Sequence, residues 1–310
     1  MRNMKWNFWL GLMLICSQSM AQTLTSEDNL EGILVKEGDM PVLFFQKKTT
    51  SKDGTFPRAN YVHPLYGLNG QILTEDFPDD HLHHRGIFWS WHQVLIGEKS
   101  IGDAWACEDF SWDVESREPL LKSDGTLELR AKTYWKSPLW KDYIGEEVAF
   151  LSESTRITVH PRNENYRIID FEIALLALEP DLKIGGSNDD KGYGGFSVRM
   201  ILPDDIQFNS STGQVTPTTN ALSAGPWMDM SGSGVDGTNF GIVIISHLDN
   251  PTHPEPWILR NNRSMQNVVY PGRKPAAISN REATKLKYRL IIYQDQMSVE
   301  KIQAIFSDYD

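Results

Sequence analysis

The densest group of titratable side chains in the sequence lies between positions 63 and 92. Five of the eight histidines fall there, namely His63, His81, His83, His84 and His92. An imidazole titrates near neutral pH, so it can accept or donate a proton under physiological conditions. The spacing therefore favours an acid–base site, with His83 or His84 as the catalytic base or acid and His63 among the residues that contact the substrate.

A metal site is the alternative interpretation of the same histidines. If residues 80–85 are extended, His81 and His83 point to one side of the strand. A His-x-His pair in that arrangement can place two imidazoles on one metal ion. Two hypotheses therefore stay open, proton transfer with no cofactor and metal ligation by His81 and His83. The plain alternative is that some of these histidines only form hydrogen bonds with the backbone.

Side chains that could hold a ligand lie in or near the same stretch. Arg85 could bind a carboxylate or sulfate through two parallel hydrogen bonds, or it could pair with a neighbouring aspartate. Trp89 and Trp105 could stack on the apolar faces of sugar rings, although core packing is the usual role of a large indole. These three residues favour a carbohydrate ligand.

Other candidates lie far along the chain and would have to be brought to the histidines by folding. His247 ends an apolar run, where functional side chains are common, and is predicted as the second catalytic histidine. Glu108 and Asp109 are predicted to orient a histidine or to act as the acid. The remaining predicted substrate contacts are Arg199, Asp229 and His253.

The chain that must position these groups has the pattern of β-strands almost throughout. In the last apolar run Leu286, Tyr288 and Leu290 fall on one face, with lysine or arginine between them, as in a half-buried strand. Strands do not alternate with helices, which argues against a parallel doubly wound sheet. We predict an all-β fold, one large antiparallel β-sandwich over residues 22–310, with surface loops at 185–195 and 220–235.

Only the C-terminus has a helical pattern. Ser298 is a good N-cap, and Val299, Ile302 and Phe306 share one apolar stripe. A short C-terminal helix is therefore predicted after the last strand.

The N-terminus has the pattern of a secretory signal peptide. A positive region with Arg2 and Lys5 precedes an apolar run, and small residues at positions 19 and 21 suit cleavage after residue 21. We predict export to the periplasm or the medium of a Gram-negative bacterium. An N-terminal anchor and a lipoprotein modified at Cys16 are the alternatives. The mature chain would keep Cys107 alone, so no internal disulfide could form.

Composition and motifs argue against several classes of function. The sequence has 41 acidic and 30 basic residues, and its net charge of −11 becomes −13 without the signal peptide, so nucleic acid is not an expected partner. No later segment is long and apolar enough to span a bilayer. The sequence also lacks a P-loop, a Rossmann glycine pattern and Gly-x-Ser-x-Gly, which argues against nucleotide binding and nucleophilic serine catalysis.

The stretch Tyr61 to Gly70, together with Asp80-His-Leu-His-His-Arg-Gly86, resembles a large bacterial family often named methane oxygenase PmoA. Segments 195–200, 227–232, 241–257 and 272–277 match the same family, so the resemblance covers most of the mature chain. The name does not suit the sequence, because a membrane monooxygenase subunit needs several transmembrane helices. The resemblance implies a galactose-mutarotase-like supersandwich. It also implies a sugar-directed role, since members accompany carbohydrate-degrading enzymes and sugar oxidoreductases in bacterial genomes.

Three functions follow from these observations. The first is an exported enzyme that acts on a glycan or modified sugar by histidine and carboxylate acid–base chemistry, as a hydrolase, lyase or epimerase. The second is a non-catalytic glycan-binding module, and the third is a metal-dependent enzyme with histidine ligands. The sequence favours the first, which requires distant histidines, arginines and acids to meet at one cleft.

Overall fold

The structure, a computed structural model, describes residues 23–234, 237–263 and 265–309. The predicted signal peptide lies outside these residues. In chain order the described elements are β1 (Leu24–Asp28), β2 (Gly32–Glu37), β3 (Met40–Gln46), β4 (Thr50–Lys52), β5 (Thr55–Arg58), β6 (Tyr61–Leu65), β7 (Ile87–Trp91), β8 (Gln93–Ile96), β9 (Lys99–Ser100), β10 (Ser111–Leu121), β11 (Leu127–Lys136), β12 (Leu151–Val159), β13 (Tyr166–Ala177), β14 (Leu182–Gly185), β15 (Gly194–Val198), β16 (Gln207–Ser210), β17 (Gly213–Gln214), β18 (Trp227–Ser233), β19 (Asn239–Ser246), β20 (Trp257–Ile258), β21 (Gln266–Val269), β22 (Ala276–Ala277), β23 (Thr284–Gln294) and the helix α1 (Val299–Ser307).

Two large antiparallel sheets form the body of the fold. An eight-stranded sheet has the order β1-β2-β3-β6-β7-β15-β21-β20, and a nine-stranded sheet has the order β10-β11-β12-β13-β23-β19-β18-β16-β17. Neighbouring strands such as β7 and β15, or β13 and β23, run antiparallel. The prediction of an all-β, antiparallel sandwich with a short C-terminal helix is confirmed.

Aromatic side chains from the two sheets meet in the core. Phe196 of β15 contacts Phe171 of β13 edge to face, with ring centroids 5.2 Å apart, and stacks on Tyr288 of β23 at 4.5 Å. Trp91 of β7 also packs against Trp135 of β11, with the rings tilted by 36° and the centroids 5.6 Å apart. Alternate residues of each strand point to opposite faces, so β11, β13 and β23 present charged residues on the face opposite the core.

A buried carboxylate links the two sheets inside this core. Glu153 of β12 is fully buried and accepts hydrogen bonds from the indole N–H of Trp89 in the facing sheet, at 2.8 Å, and of Trp135, at 3.0 Å. Asn60 and Thr155 donate to the same carboxylate. Burial raises the pKa of Glu153. Trp89 was predicted to contact substrate, and that role is corrected, because its indole lies between the sheets.

The C-terminal helix covers part of the outer face of the nine-stranded sheet. Ser298 caps α1 by accepting from the backbone N–H of Lys301 at 3.2 Å, as predicted. Ile302 and Ile305 are buried against outward-facing residues of β18, β19 and β23. Val299, predicted to belong to the apolar stripe, is 47% exposed, because the helix turns its Ile302–Ile305 edge to the sheet.

β10 and β18 are among the strands that the sequence pattern did not predict. β10 is rich in charged residues because it is an edge strand, and Pro119 falls at an irregularity between Arg117 and Leu120, where a strand tolerates proline. β18 lies inside the predicted loop 220–235, and its first four residues are buried. The glycines and serines around β18 give this segment the composition of a loop. It forms a strand because it pairs with β16 and β19.

Two further sequence-based points concern cysteine chemistry and membranes. Cys107 is a free, buried thiol. None of the helical segments in the described ranges has the length and apolarity that crossing a bilayer requires.

Replacing Glu153 with Gln should lower the free energy of unfolding by about 2 kcal/mol, because the new amide NH2 faces donors and leaves a buried N–H unsatisfied. Urea unfolding of the variant and the wild type measures the loss. Glu118→Gln, at an exposed position of β10, is the matched control and should change stability by less than about 0.5 kcal/mol. Equal stability of Glu153→Gln and the control would contradict a structural role for the carboxylate.

Candidate functional site

The histidine segment before β7 is a series of turns and not an extended strand. The backbone N–H of His81 donates to the carbonyl of Pro78 at 3.0 Å, and that of His84 donates to the carbonyl of His81 at 2.9 Å. The rings of His81 and His84 therefore stack, with centroids 4.5 Å apart and planes within 4°. The extended geometry that would place His81 and His83 on one metal ion is not adopted.

Arg85 anchors this segment from beneath. Its side chain is fully buried, with the guanidinium carbon 3.3 Å from the centre of the Phe77 ring. The guanidinium donates to the carbonyl of Thr50 at 2.8 Å and to a carboxylate oxygen of Asp76 at 3.3 Å. The alternative of pairing with a neighbouring aspartate is the one observed, and the predicted role of Arg85 in substrate binding is corrected.

Gly86 completes the turn into β7. Its φ is +27°, and a Cβ atom there would lie 2.0 Å from the carbonyl oxygen of Val62. Only glycine fits this close approach of two backbones, so the residue that follows the histidines fixes the direction in which they leave the sheet.

Arg199 holds the segment from the side. This residue follows β15 and is buried. Its guanidinium donates to Glu75 at 2.7 Å and to both carboxylate oxygens of Asp80, at 2.8 and 3.3 Å. Desolvation raises the pKa of Asp80, but hydrogen bonds from His81 and from Arg199 hold it below its usual value. Arg199 was predicted to contact the substrate, but its donors point to the protein's own acids, so that prediction is corrected.

The same guanidinium sets the tautomer of His84. An N–H of Arg199 lies 3.3 Å from Nδ1 of His84, and because arginine can only donate, Nδ1 must accept. The proton of the neutral ring is then on Nε2. Burial, followed by the neighbouring charges of His83, His81 and Arg199, pushes the pKa of His84 far below its ordinary value. His84 is therefore a neutral imidazole whose remaining polar group is a donor.

His83 is also neutral over most of the pH range. Its ring meets His84 edge to face at 4.5 Å and lies 6.2 Å from the ring of Phe56. Burial, and then the nearby charge of Arg58, lowers its pKa to about 4. A neutral imidazole keeps a lone pair, so His83 can accept a proton at neutral pH.

Two carboxylates orient two further imidazoles. Nδ1 of His81 lies 3.0 Å from Asp80, and Nδ1 of His92 lies 2.8 Å from Asp103. A carboxylate accepts, so each Nδ1 donates and leaves Nε2 as the exposed nitrogen of its ring. This is the pairing by which proteins orient a catalytic histidine.

Trp105 forms the wall between the two pairs. Its indole stacks on His92 at 5.3 Å and meets His84 edge-on at 6.4 Å. Buried Arg58 donates to the carbonyls of Ala104 and Trp105, at 2.7 and 3.0 Å, which fixes the turn that carries the indole. Trp105 is only 2% exposed, so it shapes the cleft more than it offers a stacking face.

These side chains line one cleft of about 560 Å³. The loop before β15 adds Lys191 and Tyr193, and the segment after β20 adds Arg260 and Asn261. The complete lining consists of His81, His83, His84, His92, Trp105, Lys191, Tyr193, Pro217, Thr218, Thr219, Leu259, Arg260, Asn261 and Met265. None of these described residues is an aspartate or glutamate, so the cleft presents imidazoles and cations in a protein of net charge −11.

The loop walls are tied together by Arg260. It donates to the carbonyls of Thr218 and Thr219, each at 2.8 Å, and its guanidinium carbon lies 5.5 Å from the centre of the Tyr193 ring. Three loops from distant parts of the chain therefore close on the histidines. A cleft of this size is in the range of small-molecule sites.

Several predicted site residues lie outside the cleft lining. Glu108 and Asp109 are exposed, and the backbone of Glu108 pairs with that of Asp103. His63 is partly buried, with Nδ1 3.0 Å from the hydroxyl of Thr74, and burial lowers its pKa. The acid beside the site is Asp103, five residues before Glu108.

The late candidates form separate structures. His247 packs edge-on against Tyr309 at 4.8 Å, and His253 lies 3.4 Å from the hydroxyl of Ser246. Asp229 accepts from the hydroxyl of Tyr293 at 2.7 Å, and burial raises its pKa to about 6. The structure does not place these three with the histidine segment, so they do not share one cleft with it as expected, and their individual roles stay predictions.

Sequence reasoning assigned no role to His92, Asp103, Lys191, Tyr193 or Arg260. His92 stood in the histidine-rich window, and an acid eleven residues after it is a weak signal for a pair across a hairpin. The sequence around Lys191, Tyr193 and Arg260 carries no signal of a site. These residues reach the cleft because β15 and β20 pair with strands distant in sequence.

Metal ligation has a separate geometric requirement. Among the described ranges, no group of three or more His, Cys, Asp or Glu side chains is arranged to hold a metal ion.

The model of DUF6807, a family of unknown function, matches residues 33–307, and the chain belongs to that family. The sequence has no significant match among curated proteins. None of the comparisons supports the name methane oxygenase PmoA.

Similarity to solved structures is distant. A heparinase III and the heparan sulfate lyase HepC of Pedobacter heparinus each match with a TM-score of 0.37, at 10% and 9% identity, over 89% and 90% of this chain. The chain spans 36% of the length of each of these two proteins. YeaD of Salmonella typhimurium, a candidate mutarotase, also matches at 0.37 and 9% identity, over 88% of this chain and 94% of its own. Scores of this size carry no conclusion about activity.

The wild-type protein should lose stability as the pH falls from about 6.5 to about 4, at up to about 1.4 kcal/mol per pH unit from His83 alone. In this window the unfolded chain binds a proton at His83 and the folded chain does not, so acid favours unfolding. His83→Asn should flatten the slope. Urea unfolding of both proteins at pH 7 and pH 5 measures the change in the free energy of unfolding. An equal change in the wild type and the variant would contradict a neutral, buried His83.

Proposed function

We propose that this member of DUF6807 is a carbohydrate-active enzyme that moves protons with the imidazoles of the cleft. The observation that carries the proposal is the pair of carboxylate-oriented histidines, His81 with Asp80 and His92 with Asp103, at one opening with His83 and His84. A histidine held at Nδ1 by a carboxylate presents Nε2 to a ligand as base or acid. Two such groups can act on opposite sides of a bound sugar.

His84 has a different role in this proposal. Its Nδ1 is occupied by Arg199, so its Nε2–H can only donate. A fixed neutral donor suits an oxygen that gains negative charge in the transition state. Lys191 at the same cleft adds a positive charge that would stabilise the same oxygen or a carboxylate of the sugar.

This combination favours proton transfer at carbon over hydrolysis. Most glycoside hydrolases place two carboxyl groups on either side of the scissile bond. Here Asp80 and Asp103 are engaged with histidines, and no described residue of the lining supplies a free carboxyl group. A base, a donor to an oxyanion and nearby cations are the parts that elimination or epimerisation beside a carbonyl or carboxylate requires. We therefore place lyase or epimerase chemistry ahead of hydrolysis.

The proposal also covers where the protein acts and whether the reaction needs a metal. The pattern of residues 1–21 supports export to the periplasm or medium. The imidazoles can perform the proton transfers without a metal cofactor, and elemental analysis after chelator treatment tests the alternative of ligation by His81 and His83. Retained sugar binding without any product would indicate a glycan-binding module.

His92→Ala should reduce kcat on a turned-over sugar by about a hundredfold or more, the usual contribution of a positioned base or acid. The screen uses carboxylated and keto-sugar oligosaccharides. Mass spectrometry detects elimination products, and NMR in deuterated water detects exchange at carbon.

The matched control is His160→Ala. His160 forms the same kind of pair, with Nε2 2.8 Å from Asp170, but it does not line the cleft. Its variant should keep wild-type kcat. Full activity of both His92→Ala and His83→Ala, with unchanged folding, would contradict the proposed function.

A further inference from the structure

Three arginines stand side by side on the exposed outer face of the nine-stranded sheet. Arg117 of β10 is opposite Arg130 of β11, and Arg130 is opposite Arg156 of β12. All three are exposed, because the alternate residues Leu129 and Ala131 take the core side. α1 packs on the same face at β13, β18, β19 and β23, whereas the arginine row lies on β10, β11 and β12.

The row of three arginines lowers the stability of the folded protein. Like charges directly opposite each other on neighbouring strands destabilise a sheet. Buried Glu128 pairs with Arg130, but Arg156 approaches Glu128 and Glu172 only at 3.9 and 3.7 Å. The guanidinium of Arg117 forms no hydrogen bond or ion pair with another described residue. Guanidinium groups therefore remain available on a surface of an otherwise acidic protein.

The row lines a groove of about 340 Å³. Lys132 adds a fourth cation, and exposed Ser154, opposite Lys132, adds a hydroxyl. The groove shares no lining residue with the histidine cleft. Guanidinium forks bind carboxylate and sulfate groups through parallel hydrogen bonds, and the hydroxyl of Ser154 suits a sugar oxygen.

We propose that this groove is a binding site for an acidic polysaccharide, whose carboxylate or sulfate groups contact Arg117, Arg130 and Arg156. Neighbouring strands lie about 4.8 Å apart, so the three guanidiniums form a regular series across the strands. A sugar chain that crosses the strands presents its anions as a series as well. The site would hold a polymer independently of any reaction in the cleft.

The groove suits a polysaccharide better than other polyanions. Glu115 and Glu172 line it beside the arginines. These acids would repel the unbroken phosphate series of a nucleic acid, whereas sugars between spaced anions can pass them. A flat bilayer surface would not enter a groove within a sheet face.

The test is the binding of polygalacturonate and dextran sulfate to the purified protein, measured by biolayer interferometry, with neutral dextran as the reference. The wild type should bind both polyanions and not the dextran, and added salt should weaken binding, because exposed charges are screened. The double variant Arg117→Gln/Arg156→Gln should bind at least about tenfold more weakly, the equivalent of about 1.4 kcal/mol. Thermal unfolding shows whether the variant is folded.

Two controls isolate the groove. Lys274→Gln/Arg281→Gln makes the same charge change at exposed positions outside the groove and should bind like the wild type. His92→Ala should also bind like the wild type, so that failure of the proposed reaction and failure of this site are distinguishable. Equal losses in the two double variants, no binding of either polyanion, or tighter binding of duplex DNA or phosphatidylglycerol vesicles would overturn the proposal.

Discussion

One buried guanidinium organises the histidine cleft. Arg199 leaves the end of β15, deep in the eight-stranded sheet, and binds Glu75, Asp80 and Nδ1 of His84 at once. Breaking a buried ion pair by removing one partner is strongly destabilising, so the turn that carries the histidines is tied to the rigid sheet. Through Asp80 the same contact also orients His81. The orientation of His81 and the position of the proton on His84 thus depend on one side chain that lines no part of the cleft.

Burial determines which residues of the cleft are neutral and which roles they can take. The groups that touch the opening are imidazoles and cations, while the acids stand behind them as partners, as Asp103 does for His92. Desolvation keeps His83 and His84 neutral, which leaves one as an acceptor and the other as a donor. An acidic protein thereby presents a positive cleft, and the arginine row on the nine-stranded sheet repeats that contrast on another face.

The sequence predicted what depends on local pattern. Period-two alternation predicted β23, and the N-cap Ser298 predicted α1. The concentration of histidines identified the segment at which the cleft forms. The roles of individual residues were less predictable, because they depend on pairings far apart in sequence. Arg85 and Arg199 have the chemistry of ligand-binding residues, yet their buried partners are supplied by folding. Lys191 and Arg260 have no local signal, and the opposition of Arg117 to Arg130 exists only once the register of an irregular edge strand is set.

The protonation of His84 distinguishes this arrangement from a merely crowded set of rings. Long-range proton–nitrogen NMR of the uniformly labelled protein at pH 6 to 8 reports the state of each imidazole nitrogen. If Arg199 controls the site as described, His84 should be neutral with its proton on Nε2, and His92 should carry a proton on Nδ1. A His84 ring that is charged, or protonated on Nδ1 alone, would contradict the geometry on which the proposed proton transfers depend.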